Sequence, residues 1–255
     1  MRKSMIITLV ICSLCLSLIM GCSTFEKAQV KPRMTLFVGL DISSSFYNSP
    51  YYQDAIQFLS VYLYMHMQGI GGLKRPKNLF VSSIGAEDEE DPRAFRPIHD
   101  FENKTPDQIR ANLLKWYPKS NSLTDFNVFF DKVASTVQKH NLVLAPTTIL
   151  IISDGIHDME GDIKERDEFY SHINLDPLEY LARNVTIRLL YTSPKVAEGW
   201  DRKIERRRVK IWTKEAEVMM GWHNQFVNDL PIIKQDKLVK WIQDNVNFRV
   251  RSKRL

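Results

Sequence analysis

Two hydrophobic periods alternate along this chain. Residues 34–40 (MTLFVGL) form an unbroken apolar run of strand length that stops at Asp41. From 51 to 67 the pattern changes: Ala55, Leu59, Tyr62 and Leu63, with His66 in line, recur at helical spacing. Residues 79–84 (LFVSSI) predict a second strand, closed by Gly85 and an acidic loop at 87–91. Residues 95–101 predict a short strand, which Pro97 confines to a sheet edge. Thr105-Pro106-Asp107 is a helix start, with Thr105 as N-cap and proline at the first helical position, and that helix runs to about Trp116. Phe126, Phe129, Val133 and Val137 mark the next helix. The most apolar strand is 147–152 (TTILII), whose run without polar alternation predicts burial on both faces. A helix through Leu178 and Leu181, a strand at 185–191 and a last strand at 209–213 follow. Leu238, Trp241, Ile242 and Val246 stripe a final helix.

Apolar strands alternating with amphipathic helices predict an α/β fold: a doubly wound, mostly parallel central sheet flanked by helices on both faces. In such sheets ligands bind in the crevice beyond the carboxyl ends of the strands. The residues that follow each strand therefore carry the interest.

Composition supports a folded domain: 44% hydrophobic and 25% charged residues with ten glycines. The first residues have a different character. Arg2 and Lys3 precede an uncharged apolar run from 5 to 20, the layout of a secretory signal and short for a membrane-spanning stop. The run ends Ile19-Met20-Gly21-Cys22, which resembles the bacterial lipobox. That resemblance implies cleavage before Cys22 and a diacylglyceryl group on its thiol; the alternative is an uncleaved anchor with a chance cysteine. The expected organisation is a signal at 1–21, a lipidated cysteine and tether at 22–33, and one domain at 34–255 with a basic tail. The cysteines are Cys12, Cys15 and Cys22, so a chain beginning at Cys22 has no disulfide and no thiolate metal site. Ser23 after the cysteine resembles outer-membrane sorting, so the expected location is the bacterial envelope, on the outer membrane facing the periplasm in preference to the inner one.

Charge adds little. Removing Arg2 and Lys3 lowers the formal net charge of +5 by two, and no nucleic-acid partner is expected. The basic stretches, Arg206-Arg207-Arg208 with Lys210 and Arg249, Arg251, Lys253 and Arg254, read as a solvated face and a frayed end, or as contacts for lipid headgroups. Trp200, Trp212 and Trp222 with Met219-Met220 read as core, with an exposed aromatic ledge as the alternative.

The chemistry concentrates after two strands. Asp41-Ile42-Ser43-Ser44-Ser45 follows the first, and Ser153-Asp154-Gly155 follows the strand at 147–152; Thr124 lies between them, in a loop before a helix. Carboxylates and hydroxyls are hard oxygen ligands, suited to Mg²⁺, Mn²⁺ or Ca²⁺ rather than zinc. The set resembles the von Willebrand factor A (vWA) domain with its metal-ion-dependent adhesion site: Asp-x-Ser-x-Ser, a distal threonine, then a distal aspartate followed by glycine. That resemblance implies a divalent cation, Mg²⁺ first, held by Asp41, Ser43, Ser45, Thr124 and Asp154. It also implies a protein partner whose Asp or Glu completes the cation's shell, with no enzymatic turnover. The loop reads Ser122-Leu123-Thr124-Asp125, without the glycine many family members place there, and Asp125 is either a helix cap or an outer ligand. His157 and Asp158 stand as rim residues of the site, or His157 as an ordinary surface histidine. Two alternatives remain open. One is a metal-dependent hydrolase of haloacid-dehalogenase type, which needs an acid where this chain has Ser43. The other is a metal-free scaffold in which Asp41 and Asp154 serve only as caps.

Overall fold

The structure is a computed structural model, which describes residues 33–84, 95–120, 123–157, 169–181 and 185–250. The signal segment, Cys22, the tether up to residue 32, Gly85 with the acidic loop at 87–91, Asp158 and the end of the basic tail lie outside the described residues.

In chain order the main elements are β1 (Thr35–Leu40), α1 (Ser44–Tyr47), α2 (Tyr52–Gln68), β2 (Asn78–Ser83), β3 (Arg96–Pro97), α3 (Pro106–Trp116), α4 (Phe126–Lys139) and β4 (Thr147–Ile152). They continue with α5 (Phe169–His172), α6 (Asp176–Glu179), β5 (Val185–Thr192), α7 (Pro194–Arg202), β6 (Lys210–Glu215), α8 (Ala216–Met220) and α9 (Asp236–Asn245). The strands form one sheet in the order β3-β2-β1-β4-β5-β6. Every pairing is parallel except the short antiparallel one between β2 and β3. Pro97 stands on that edge strand, where its missing N–H costs no ladder bond to a further neighbour.

Side-chain alternation builds the two faces. Leu36, Val38 and Leu40 of β1, with Leu150 and Ile152 of β4, share one core with the inner faces of α2 and α9. Phe37 of β1, with Ile149 and Ile151 of β4 and Ile187 and Leu189 of β5, shares the other with α4 and α7. Because successive strand residues point to opposite faces, an unbroken apolar run is what a strand between two helical layers requires. Gly39 shows how tight the second layer is: a β-carbon there would come within 2.7 Å of the Phe129 ring of α4.

Local signals placed the helices. Thr105 and Gln108 form a reciprocal capping box at the start of α3, with Pro106 as its first residue. Several expected elements differ in extent. The segment at 95–101 is two strand residues followed by a 3₁₀ turn at Ile98–Asp100, since only Arg96 and Pro97 find a partner on β2. The helix expected through Leu178 and Leu181 is the short α6, preceded by the equally short α5. The last strand runs to Glu215, two residues further than expected. Helix α7, capped by Ser193 and opened by Pro194, has no counterpart in the sequence reading, although Trp200 on it is fully buried.

The tryptophans divide. Trp200 and Trp222 belong to the core, while Trp212 is half-buried and donates its indole N–H to the Asn245 carbonyl. In the basic run beside β6 the Arg207 and Arg208 side chains are exposed, as a solvated face requires, while their backbone amides donate to the Glu179 carboxylate and Arg206 pairs with Asp201 at 2.7 Å.

Candidate cation site at the sheet's switch point

Strand order reverses between β1 and β4: from β1 the chain steps outward to β2, and from β4 it steps the other way to β5 and β6. Loops leaving adjacent strands in opposite directions open a crevice at their carboxyl ends. Asp41 follows β1 and Ser153 follows β4, and the register pairs Leu40 with Ile152 just before them. The Asp41 amide extends the ladder by donating to the Ile152 carbonyl at 2.9 Å.

Asp41 is almost wholly buried, and among the described residues the groups that hydrogen-bond its carboxylate are neutral. Oδ2 accepts from the Ser153 hydroxyl at 2.6 Å; Oδ1 accepts from the Ser43 amide at 2.9 Å and from the Thr124 hydroxyl at 3.3 Å. Burial pushes the Asp41 carboxyl above its ordinary range, and the hydrogen bonds from Ser153, Ser43 and Thr124 offset only part of that. A buried carboxylate with no cation among its partners is an electrostatic deficit that a metal ion would cancel.

The serines of α1 do not act as a helix cap. Ser43 occupies the N-cap position of α1 without a side-chain cap bond; its hydroxyl faces the Ser45 hydroxyl at 3.1 Å instead. Ser45 is exposed, so the pair leads from buried Asp41 out to solvent. Helix α1 is pinned from below by Phe46, whose ring meets Tyr52 at 5.9 Å and Tyr191 at 6.4 Å.

Asp154 is only half-buried, and its Oδ1 accepts from the Ile156 amide at 3.1 Å within its own loop. Gly155 allows that turn. Its φ is +80°, and a β-carbon there would also meet Leu189 and Val196 at 2.9 Å. The Gly155 amide donates to the Ser153 hydroxyl, and its carbonyl accepts from the Trp200 indole at 2.8 Å, which ties the loop to α7.

The expected residues thus fall into three groups. Asp41, Ser43 and Thr124 are in mutual contact around one carboxylate, and Ser45 joins them through Ser43. Asp154 borders the cluster as the neighbour of Ser153, with its own hydrogen bond directed to Ile156. The remaining candidates take other roles. Asp125 is the N-cap of α4, accepting from the amides of Asn127 and Val128, so the helix-cap alternative holds. His157 is neither a rim residue nor a surface histidine. It is buried, with Nδ1 lying 3.1 Å from the Thr124 carbonyl and 3.3 Å from the Phe126 amide, and its ring beside Phe126. It braces the Thr124 loop from inside.

Ser153 was missed as a site residue, yet it makes the shortest contact with Asp41. Its signal was its place directly after the most apolar strand, one step before the aspartate that drew attention.

The donor set fits a hard divalent cation: hydroxyls and carboxylates from three loops around the buried Asp41. Among the described residues no group of three or more His, Cys, Asp or Glu side chains is placed to hold a metal, so a cation here depends on the hydroxyls.

No family model matches the chain, and no curated protein sequence matches it either. Several solved structures are similar at low identity. Proximal thread matrix protein 1 of the mussel byssus has 10% identity and a TM-score of 0.43, over 74% of this chain and 45% of that one. The pilus adhesin SpaC of Lactobacillus rhamnosus GG, in an open conformation, has 8% identity and a TM-score of 0.47, over 85% of this chain and 31% of that one. The SpRpn10 VWA domain has 10% identity and a TM-score of 0.38, over 78% of this chain and 96% of that one. The chain spans less than half the length of the first two. Such values say nothing of activity or partner. Strand order and register by themselves define the class: an open α/β sheet, parallel but for one edge strand, with a hydroxyl-and-carboxylate cluster at its switch point.

Proposed function

We propose that this chain is a lipid-anchored envelope protein whose vWA-like domain binds a divalent cation and, through it, an acidic side chain of a protein partner. The observation that carries the reading is Asp41, buried at the switch point among neutral donors from Ser43, Thr124 and Ser153. Ser43, Ser45 and Thr124 would offer hydroxyls to the cation, and Asp41 and Asp154 the charge. The cation would be a Lewis acid with one position left for the partner's carboxylate. Hard oxygen donors suit Mg²⁺, Mn²⁺ and Ca²⁺ alike, and the motif resemblance puts Mg²⁺ first. The chain's own contribution is to hold Asp41 dry and to present Ser45 and Asp154 at the rim.

The anchor belongs to the same reading. Lipid on Cys22 would hold the domain at the outer membrane's periplasmic face, and a tether of some eleven residues reaches at most ~40 Å when extended. Binding, not turnover, is the proposed activity: Ser43 stands where a haloacid-dehalogenase-type hydrolase needs its second acid.

Calorimetric titration of the full chain in mild detergent with Mg²⁺ is the test. One oxygen-ligated cation should bind, and Asp41→Ala combined with Asp154→Ala should remove the signal while the circular dichroism stays that of the wild type. Unchanged Mg²⁺ affinity in the double variant refutes the site.

A further inference from the structure

Tyr52 opens α2, and its hydroxyl is buried with no hydrogen-bond partner among the described residues. A tyrosine hydroxyl in the interior ordinarily finds a partner, because leaving it without one forfeits its hydration for nothing in return. The three other fully buried tyrosines on this face of the sheet obey the rule: Tyr62 donates to Asn247 at 2.9 Å, Tyr117 to the Val81 carbonyl at 2.7 Å and Tyr191 to Asp54 at 2.6 Å.

The ring's placement says what the hydroxyl is near. Tyr52 packs edge-on against Phe46 at 5.9 Å and tilted against Tyr47 at 4.4 Å. Both belong to α1, the helix that carries Ser45. Its phenol is held above the ordinary range first by burial, then by Tyr47 and by the negative field of Asp41. Packing has thus fixed the ring against the helix that carries Ser45, with its one polar atom unused.

We propose that Tyr52 is a positioning residue of the cation site, its hydroxyl donating a hydrogen bond to the oxygen shell of the bound ion. This rests on the cation reading above and deepens it. Groups in a metal's outer shell orient the inner ligands and are costly to lose. A hydrogen bond from this hydroxyl to the ion's shell would also tie ion uptake to the packing of α1 on α2.

The test uses Tyr52→Phe, which keeps the ring against Phe46 and Tyr47 and removes only the oxygen. The probe is Mn²⁺, followed by the relaxation of water protons and by electron paramagnetic resonance of the bound ion. In chelator, Tyr52→Phe should melt at the wild-type temperature or above it, since an unused polar atom has gone. With Mn²⁺, its dissociation constant should rise about tenfold, and the spectrum of the bound ion should change. A clear loss of stability in chelator would mean that the hydroxyl already has a partner, and would overturn the inference. Wild-type uptake matched by Tyr52→Phe, with an identical spectrum, overturns this inference alone. Failure of the wild type to take up Mn²⁺ overturns the cation site and this inference together.

Discussion

Acidification from pH 7 to pH 5 should cost this protein about 2 kcal/mol through one side chain, His66. The imidazole is buried on α2 inside a bonded network. Nδ1 lies 2.9 Å from the Lys74 carbonyl, to which only an N–H can donate, so Nε2 is left as the acceptor for the Asn247 carboxamide at 2.9 Å. Asn247 Oδ1 in turn accepts from the Tyr62 hydroxyl, and the Tyr62 ring lies against the imidazole at 4.3 Å. Burial holds the His66 pKa down at about 4, with the Arg188 guanidinium adding to the depression and the hydrogen bond to Lys74 opposing it. Protonating Nε2 would set a donor against the Asn247 N–H. In the unfolded chain a histidine titrates near 6.5. Between 6.5 and 4 the unfolded state binds the proton and the folded state does not, so stability rises with pH across that window. The contribution is fully present above 6.5 and is lost as pH falls toward 4, at about 1.4 kcal/mol per unit. Urea unfolding of wild type and His66→Gln at pH 7, 6 and 5 isolates it, because every other titrating group contributes to both proteins. The wild type should lose about 2 kcal/mol more than the variant over that range. Parallel pH dependences in the two proteins would refute the reasoning.

Three further outcomes are expected. Asp41→Asn removes a buried charge, so in chelator it should be at least as stable as the wild type. It should also lack the gain of about 2.7 kcal/mol that the wild type shows at a Mg²⁺ concentration one hundred times its dissociation constant; an equal gain in thermal scans contradicts the site. Asp54 accepts from the Tyr191 hydroxyl at 2.6 Å, from the Trp222 indole at 3.0 Å and from His223, so Asp54→Ala should cost about 3 kcal/mol in chemical denaturation, and a loss below about 1 kcal/mol would show that these donors find other partners. Cys22→Ala should abolish incorporation of labelled fatty acid and leave an uncut precursor on a gel; normal labelling would refute the lipobox resemblance.

Much of the layout was legible because strands and helices between two cores write their burial directly into sequence. The run TTILII needs no partner to be recognised, since an element apolar at every position can only lie where both faces are covered. Thr105, Pro106 and Gln108 announced a helix start through bonds made within four residues. Asp41, Ser43, Ser45, Thr124 and Asp154 each follow or adjoin an element whose end could be read, but grouping them came from a motif resemblance; the fold brings Asp41, Ser43, Ser45 and Thr124 into contact and leaves Asp154 bonded to Ile156. Helix α7 escaped for the opposite reason: it is short, and its buried Val196 and Trp200 acquire meaning only against β4 and β5.

What the sequence determined by itself, then, was local: element type, caps, the apolar faces, and which oxygen-bearing residues stand at strand ends. Tertiary structure decided which of those residues meet. Ser153 contacts Asp41 across 112 positions because β1 and β4 are neighbours in register, and no local pattern encodes that adjacency. His157 became a buried brace rather than a rim residue because the loop after β4 turns inward at Gly155 against α7. Asp125 could be read as ligand or cap until the start of α4 placed two backbone amides on its Oδ1. Local bonds can be read along the chain because their partners are a few residues apart; burial and long-range contacts depend on how whole elements pack, and only the folded sheet sets that distance.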